Sequence, residues 1–187
     1  MYRQRLVVVA MVLASAFSGL AFAAGDEARQ TVSINSPNPK VEEVEGALFP
    51  KEIVALKDEC AQMEKIGLRC QSVIPKSSLD TIQITFARGS AVLTEEGKGF
   101  LRSVGAALQR KAGVWQSLTV EGHTDATGSE AANRRLSQHR ADSVKSFLQA
   151  EFGLKNIETA GRSSDKLRDA DNPTAGLNRR VEFVPNW

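Results

Sequence analysis

The sequence contains few of the residues that dominate several specialised classes of protein. Its 187 residues include two cysteines, two histidines and one tyrosine, and aromatic residues make up 6% of the chain. Fourteen glycines and six prolines are too few for a collagen-like or a wholly disordered chain. Since 42% of the residues are apolar, the composition predicts one domain of ordinary size with a buried core, plus accessory segments.

The chain also lacks a strong excess of charge. It has 24 basic and 22 acidic residues, which gives a net charge of +2. Two of the basic residues, Arg3 and Arg5, lie in the first 23 residues, where there is no acidic residue. Without that segment the net charge is zero, and such a balance argues against nucleic acid as a partner.

Long apolar runs are absent except at the N-terminus. There the two arginines precede an apolar stretch and then small residues that end in Ala21-Phe22-Ala23. This layout predicts a secretory signal peptide over residues 1–23. The alternative is an uncleaved anchor, because the 19 uncharged residues from Leu6 to Ala24 are just long enough to span a bilayer. Both interpretations predict export.

The two cysteines, Cys60 and Cys70, are ten residues apart in this exported chain. Export and short spacing together predict a disulfide between them. Two cysteines are too few for a structural zinc site, which takes four ligands. Neither cysteine directly follows the leader, so neither is the lipid-bearing cysteine of a lipoprotein signal.

Composition divides the rest of the chain into three parts. Residues 24–47 are short of large apolar side chains and are predicted to form a linker. Residues 48–78 are predicted to form a short helical segment that carries the disulfide, and residues 79–187 the main domain. In the helical segment, apolar residues recur at intervals of three and four. They are Phe49, Ile53, Leu56, Cys60 and Met63.

Strand and helix patterns alternate in the main domain. One helix is predicted to begin after a Thr94 cap and to end at Gly113, and a longer one to run from Ser129 to Phe152. Alternating or short apolar runs predict strands at residues 82–86, 118–120, 157–160 and 180–184. The order βαβαββ predicts an α/β sandwich, in which a small mixed sheet carries helices on one face.

The longer helix carries an arginine on its predicted inner face. By their spacing, this face comprises Asn133, Leu136, Arg140, Val144 and Phe147. An unpaired buried charge is costly, so Arg140 must reach water or an acid. Asp125, in the turn that leads into the helix, is the nearest acidic candidate. We expect the two side chains to lie within a few ångströms of each other.

At this point the sequence resembles the OmpA-like C-terminal domain family, which includes peptidoglycan-associated lipoproteins and the periplasmic parts of flagellar stator proteins. The resemblance covers about residues 81–185 and leaves residues 24–80 without a counterpart. It depends on Gly-His-Thr-Asp at 122–125, Arg140-Ala141 and Asn-Arg-Arg-Val-Glu at 178–182. The stretch between Gly161 and Asn178 departs from the family pattern, so we expect the contacts at the rim of the site to differ from those of the family.

The resemblance implies non-covalent binding of peptidoglycan through the diaminopimelate of its stem peptide, in the periplasm or at the cell outer membrane. In the family, the acid of the first motif and the arginine of the second hold this group, and Asp125 and Arg140 match them. A carboxylate suits the ammonium of diaminopimelate, and a guanidinium suits its carboxylate. Further ligand-binding candidates are Thr124, Asn133, Ser90 and Arg179.

Other functions remain open alongside this tethering role. An uncleaved leader would make the protein a membrane-anchored motor or transport subunit. A peptidoglycan hydrolase would need a nucleophile–base pair or a metal, and the sequence offers neither. We therefore expect a binding protein without enzymatic activity, cofactor or metal, with peptidoglycan and other envelope proteins as partners. Asp125 and Arg140 could also form a purely structural ion pair.

Overall fold

The computed structural model describes residues 29–70, 74–87 and 89–187. The predicted signal peptide and its anchor alternative therefore lie outside the described residues. A single 3₁₀ turn at Gly176–Asn178 precedes the last strand. The other elements, in chain order, are β1 (Arg29–Ser33), α1 (Val41–Leu48), α2 (Lys51–Lys65), β2 (Lys76–Thr81), α3 (Glu95–Arg110), β3 (Ser117–Gly122), α4 (Glu130–Phe152), β4 (Ile157–Gly161) and β5 (Val181–Asn186).

The strands form one mixed sheet in the order β1-β2-β5-β3-β4. β1 runs parallel to β2, and β3 runs parallel to β4. β5 lies between β2 and β3 and is antiparallel to both. Helices α1, α3 and α4 pack as one layer against the sheet. The predicted fold class, an α/β sandwich with a mixed sheet, is therefore confirmed.

The two main helices begin where the sequence predicts, and α4 also ends there, whereas α3 ends at Arg110, three residues before the predicted end at Gly113. The Thr94 hydroxyl accepts a hydrogen bond from the Gly97 backbone N–H at 3.1 Å and caps α3. Ser129 caps α4 in the same way, accepting from the Ala132 N–H at 3.3 Å. α4 ends at Gly153, which has a φ of 62° in the left-handed region that favours glycine.

Close packing of α4 on the sheet changes which of its residues are buried. A Cβ on Gly122 would collide with the Ser137 carbonyl oxygen, and one on Gly161 would lie 2.6 Å from the Gln138 nitrogen. Because the helix approaches so closely, its small residues face the sheet. The buried residues of α4 are Asn133, Ser137, Ala141, Val144 and Leu148. The predicted inner face is therefore wrong in phase, and Arg140 lies half-buried at its flank.

The strand predicted at residues 82–86 is wrong, because the strand in this region is β2. β2 is mostly polar, and hydrogen bonds satisfy its buried hydroxyls. The Ser77 hydroxyl donates to the Leu48 carbonyl at 2.6 Å, and the Thr81 hydroxyl donates to the Ile34 carbonyl at 3.0 Å. In the loop that follows β2, the Ile84 side chain is buried in the core. Because a buried apolar loop residue has the same character as a strand residue, this stretch was predicted to be a strand.

The segment from residue 29 to residue 47 is not a linker. It contains β1, which pairs with β2, and α1, whose Val44 and Ala47 join the same hydrophobic core as the main domain. Ion pairs from Arg110 to Glu42, at 2.7 Å, and from Lys111 to Glu45, at 2.9 Å, connect α1 to the end of α3. The linker prediction is wrong here because three apolar residues of the segment, Ile34, Val44 and Ala47, are buried in the core.

The predicted helix in residues 48–78 is present as α2. Ile53 and Cys60 are its buried residues, and most of its second half is exposed. A disulfide joins Cys60 to Cys70, with 5.1 Å between their Cα atoms, as the sequence predicts. None of the helices in the described part of the chain has the length and apolar character needed to cross a bilayer.

Candidate functional site

A cavity of about 280 Å³ lies beside the C-terminal end of β3, between the loop after β2, α4 and the approach to β5. Part of its wall is apolar and part carries guanidinium groups. The apolar side chains are Ile82, Ile84 and Phe86, and the basic ones are Arg140, Arg179 and Arg180. A partly enclosed space with apolar contacts and several guanidinium groups suits an organic anion.

Asp125 lies in the turn that follows β3, and its two carboxylate oxygens have different partners. Oδ1 accepts hydrogen bonds from the backbone N–H of Thr127, at 3.1 Å, and from the Thr127 hydroxyl. Oδ2 lies 2.8 Å from Nη1 of Arg179. Burial alone would raise the pKa of Asp125, but the bonds from Thr127 and Arg179 lower this pKa below its ordinary value. Asp125 is therefore negatively charged at neutral pH.

Arg140 is held by groups that leave its charge without a matching acid. Its Nε donates to the Ser90 carbonyl at 3.2 Å, and its guanidinium carbon lies 5.0 Å from the centre of the Phe86 ring. Among the residues that the structure describes, no carboxylate lies within 4 Å of this guanidinium. Burial, and then the positive charge of Arg179, lower the pKa of Arg140, while Asp125 opposes the shift.

The direct ion pair expected between Asp125 and Arg140 is not formed. Asp125 pairs with Arg179, which is 54 residues away in the chain. The charge of Asp125 still opposes the lowering of the Arg140 pKa, and Arg179, the partner of Asp125, lines the same cavity as Arg140. The prediction was wrong about the partner because it considered the acid nearest in sequence, whereas the approach to β5 brings an arginine to the same edge of the sheet.

Of three other residues predicted from the sequence, two make side-chain hydrogen bonds within the described residues and the third does not. The buried Asn133 amide donates to the carbonyls of Asp125, at 3.3 Å, and Thr127, at 2.8 Å, and so fixes the turn. The Ser90 hydroxyl accepts from the Val92 N–H at 3.0 Å. Thr124 is buried, and its hydroxyl has no hydrogen-bond partner in the described part of the chain.

Sequence reasoning gave no role to two residues that shape the site. Thr127 orients the Asp125 carboxylate, and an acid followed two residues later by a hydroxyl donor is a recognisable turn pattern. Phe86 lies beneath the Arg140 guanidinium, but the sequence assigned it to a strand. A loop position could not be inferred for Phe86 while residues 82–86 were interpreted as a strand.

A second charged region lies on the sheet face opposite the hydrophobic core. Along β2, β3 and β5, its residues alternate with those that face the core. Arg29 Nη1 donates to Glu182 at 2.9 Å and to Glu121 at 3.4 Å, and Arg162 also donates to Glu121. Arg168 lies 3.1 Å from Asp80. We call this region the polar-face cluster; it comprises Arg29, Asp80, Glu121, His123, Arg162, Arg168, Arg180 and Glu182.

The polar-face cluster contains three residues of metal-ligand type. Ligand atoms of Glu121, His123 and Glu182 lie within 4.8 Å of one another. Arg29 already bridges the two carboxylates, so their charge is neutralised within the protein. Burial would raise the pKa of Glu182, but bonds from His123, Arg29 and Ser78 lower this pKa to about 2. The arrangement is that of an internal ion-pair network.

Comparison with known proteins identifies a family that matches the part of the chain around the cavity. Residues 85–180 match the OmpA family over just more than half of the chain, a range that includes Asp125, Arg140 and Arg179. The chain belongs to the OmpA family. Its recognition from the motifs at 122–125, 140–141 and 178–182 is therefore confirmed.

The curated relatives of this OmpA-family chain include an outer-membrane porin and a probable lipoprotein. Outer membrane porin F of Pseudomonas aeruginosa is 43% identical over 70 residues, which cover 35% of this chain and 20% of the porin. Probable lipoprotein YiaD of Escherichia coli is 39% identical over 104 residues, or 54% of this chain and 47% of YiaD. The chain thus spans less than half the length of either relative. Neither relative is named as an enzyme.

Solved structures share the fold. The cell wall anchor of the T6SS from P. aeruginosa is 25% identical and superimposes with a TM-score of 0.50, over 70% of this chain and 96% of the anchor. A protein described as MotB-like from Desulfovibrio vulgaris is 20% identical, with a TM-score of 0.52 over 73% of this chain and 94% of that protein. The second likeness concerns the fold alone.

Proposed function

We propose that the protein is an exported envelope protein that binds peptidoglycan non-covalently through the diaminopimelate of the stem peptide. The observation that carries this proposal is the half-buried Arg140, which lines a cavity and has no carboxylate within 4 Å in the described part of the chain. A charge in that position is stabilised when a ligand brings the missing anion. The relatives at the outer membrane and the likeness to a cell wall anchor support the same role.

The free end of diaminopimelate has the charges that this site can match. It carries an ammonium and a carboxylate on one carbon atom. The planar guanidinium of Arg140 can bind the carboxylate through two parallel hydrogen bonds, while the Phe86 ring supports its other side. Oδ2 of Asp125 can receive the ammonium. Asn133 and Thr127 hold the Asp125 turn in place for this contact.

The proposal also assigns a location and an arrangement to the chain. The leader over residues 1–23 exports the protein to the periplasm or the cell outer membrane, and the binding site holds it to the cell wall. This arrangement tethers envelope layers and requires no catalytic group. Ser90 and Thr124 complete the surroundings of the ligand, through the carbonyl that orients Arg140 and through a buried hydroxyl.

Co-sedimentation with purified peptidoglycan sacculi tests this function. Asp125→Ala removes the ammonium contact, and we expect binding to weaken by about 2 kcal/mol, or roughly thirtyfold. Asp165→Ala is the control, because Asp165 is also ion-paired to an arginine, Arg134 at 3.0 Å. Arg134 does not line the cavity, whereas Arg179, the partner of Asp125, does. Melting temperatures of both variants report whether the fold is intact.

The outcome distinguishes a binding site from a structural ion pair. A folded Asp125→Ala protein that sediments with sacculi as the wild type does would refute the assignment. Chromatography of the supernatant after incubation should show no released muropeptides, since the proposal involves no cleavage. Release of muropeptides by the wild type would establish an enzyme instead.

A further inference from the structure

We propose that Arg179 is an internal competitor for the ligand's ammonium. In the free protein its guanidinium occupies the Asp125 oxygen that the ammonium needs, so binding exchanges one cation for another. The site would therefore favour ligands that carry a free ammonium group able to replace the Arg179 guanidinium at Asp125. This inference rests on the proposed function and adds a residue that sets its specificity.

The two oxygens of Asp125 show which one can exchange its partner. Oδ1 is bound twice by Thr127, through the backbone N–H and the hydroxyl, and both donors belong to the same tight turn. Oδ2 is bound by Arg179. Thr127 therefore keeps the carboxylate oriented after Arg179 leaves, and Oδ2 is then free to accept another donor.

Arg179 can separate from Asp125 at a small cost in free energy, because Arg179 is the more exposed partner and Asp125 is the desolvated one. The Arg179 side chain is 53% exposed, whereas the Asp125 side chain is 9% exposed. An exposed guanidinium that loses one ion pair regains hydration, so such pairs contribute little to stability. Arg140 is different, because it is half-buried and is held by Ser90 and Phe86.

The Arg179 guanidinium lies close to the backbone of Gly176. A Cβ on Gly176 would lie 3.1 Å from Nη2 of Arg179, closer than ordinary van der Waals contact. Nη2 is therefore packed against the backbone at Gly176, while Nη1 reaches Asp125. A side chain larger than glycine at this position would disturb the resting place of Arg179.

Isothermal titration with two synthetic peptides tests the exchange. One peptide is L-Ala-γ-D-Glu-meso-diaminopimelate, and the other is the same peptide with its distal amine acetylated. We expect Arg179→Gln to bind the free-amine peptide roughly two- to fivefold more tightly than the wild type does, the gain expected from removing an exposed ion pair. Binding of the acetylated peptide should not become tighter, because it has no ammonium to compete with Arg179.

The chain offers a close control and an independent variant. Arg110 is also 53% exposed and lies 2.7 Å from Glu42, away from the cavity, so Arg110→Gln makes the same charge change elsewhere. It should bind both peptides as the wild type does. Gly176→Ala leaves every charge in place and shifts the Arg179 guanidinium by a few tenths of an ångström, so it should move selectivity toward the free-amine peptide, by less than Arg179→Gln.

Each alternative result overturns the inference in a recognisable way. Weaker or unchanged binding of the free-amine peptide by Arg179→Gln would make Arg179 a ligand contact or a bystander. An equal gain for both peptides would mean that Arg179 acts through overall charge alone. If the wild type binds neither peptide, the proposed function fails and the inference fails with it.

Discussion

The polar-face cluster and the cavity use the same types of side chain for different purposes. In the cluster, Arg29 and Arg162 bind Glu121, and Arg168 binds Asp80. At the cavity, Arg140 lies against a carbonyl and an aromatic ring. The acids of the cluster are all paired with arginines, whereas Arg140 at the cavity has no carboxylate within 4 Å in the described part of the chain.

This difference shows how an arginine contributes to stability or to binding. A half-buried charge is costly unless a partner compensates it. Where the protein supplies the carboxylate, as Glu121 does for Arg162, the pair belongs to the fold. Where the protein supplies none nearby, as at Arg140, the structure accepts a cost that binding can offset. The predictions below separate these two situations.

Breaking the polar-face cluster should have the largest effect on stability. Glu121→Gln removes a charge that is 2% exposed and leaves Arg29 and Arg162 without one of their acids. We expect a loss of about 4 kcal/mol in the free energy of unfolding, measured with urea. Glu158→Gln, on an exposed position of the neighbouring strand, is the control and should change stability by less than about 0.5 kcal/mol. Equal effects of the two variants would show that the cluster is not part of the fold's stability.

Truncating a buried side chain in the helix layer should lower the free energy of unfolding. Leu48, in α1, is fully buried, so Leu48→Ala should cost about 3 kcal/mol of unfolding free energy. Leu68 is 53% exposed, and Leu68→Ala should change stability by less than about 0.5 kcal/mol. Thermal or urea unfolding of both variants measures the difference. A negligible effect of Leu48→Ala would show that the C-terminal end of α1 does not contribute to the stability of the core.

Acid should weaken the polar-face cluster selectively. The pKa of Glu182 is about 2 in the folded protein and 4.5 as its ordinary value, so its stabilisation is complete above pH 4.5 and is lost as the pH falls toward 2. The full loss is about 3 kcal/mol. Burial lowers the pKa of His123, so the unfolded chain takes up this proton first and stability already declines below about pH 6.5.

Urea unfolding at pH values from 7 to 3 measures this dependence. The wild type should lose stability as the pH falls, and Glu182→Gln should show a smaller loss below pH 4.5, because the titrating group is absent. Leu48→Ala should keep the wild-type pH dependence at lower overall stability. A Glu182→Gln protein with the same acid dependence as the wild type would assign the acid sensitivity to other groups.

Much of the fold followed from local patterns in the sequence. The caps at Thr94 and Ser129, the glycine at the end of α4 and the strands near 118–120 and 157–160 were all predicted. The exceptions depend on distant partners. β2 is polar, and its buried hydroxyls are satisfied by carbonyls of Ile34 and Leu48, which no local pattern shows.

The pairing of the candidate site residues was not predicted. The sequence led to the expectation of an Asp125–Arg140 pair, yet Arg179 binds the carboxylate, and Arg140 and Arg179 line one cavity. The sequence could not show this, because the partner comes from an irregular stretch before β5 whose path is set by tertiary packing. The phase of α4 was also hidden, since it depends on the glycines of β3 and β4 that let the helix approach.

The affinity of Arg140→Lys for the free-amine tripeptide, compared with that of Arg162→Lys, tests most directly whether an arginine without a carboxylate is the binding group. Lysine keeps the charge and loses the planar fork. We predict that the free energy of unfolding of Arg140→Lys lies within about 0.5 kcal/mol of the wild-type value. Arg140→Lys should bind the peptide at least about tenfold more weakly than the wild type does, while Arg162→Lys should bind it like the wild type. Arg140→Lys that binds like the wild type, or Arg162→Lys that loses binding as strongly, would contradict the account.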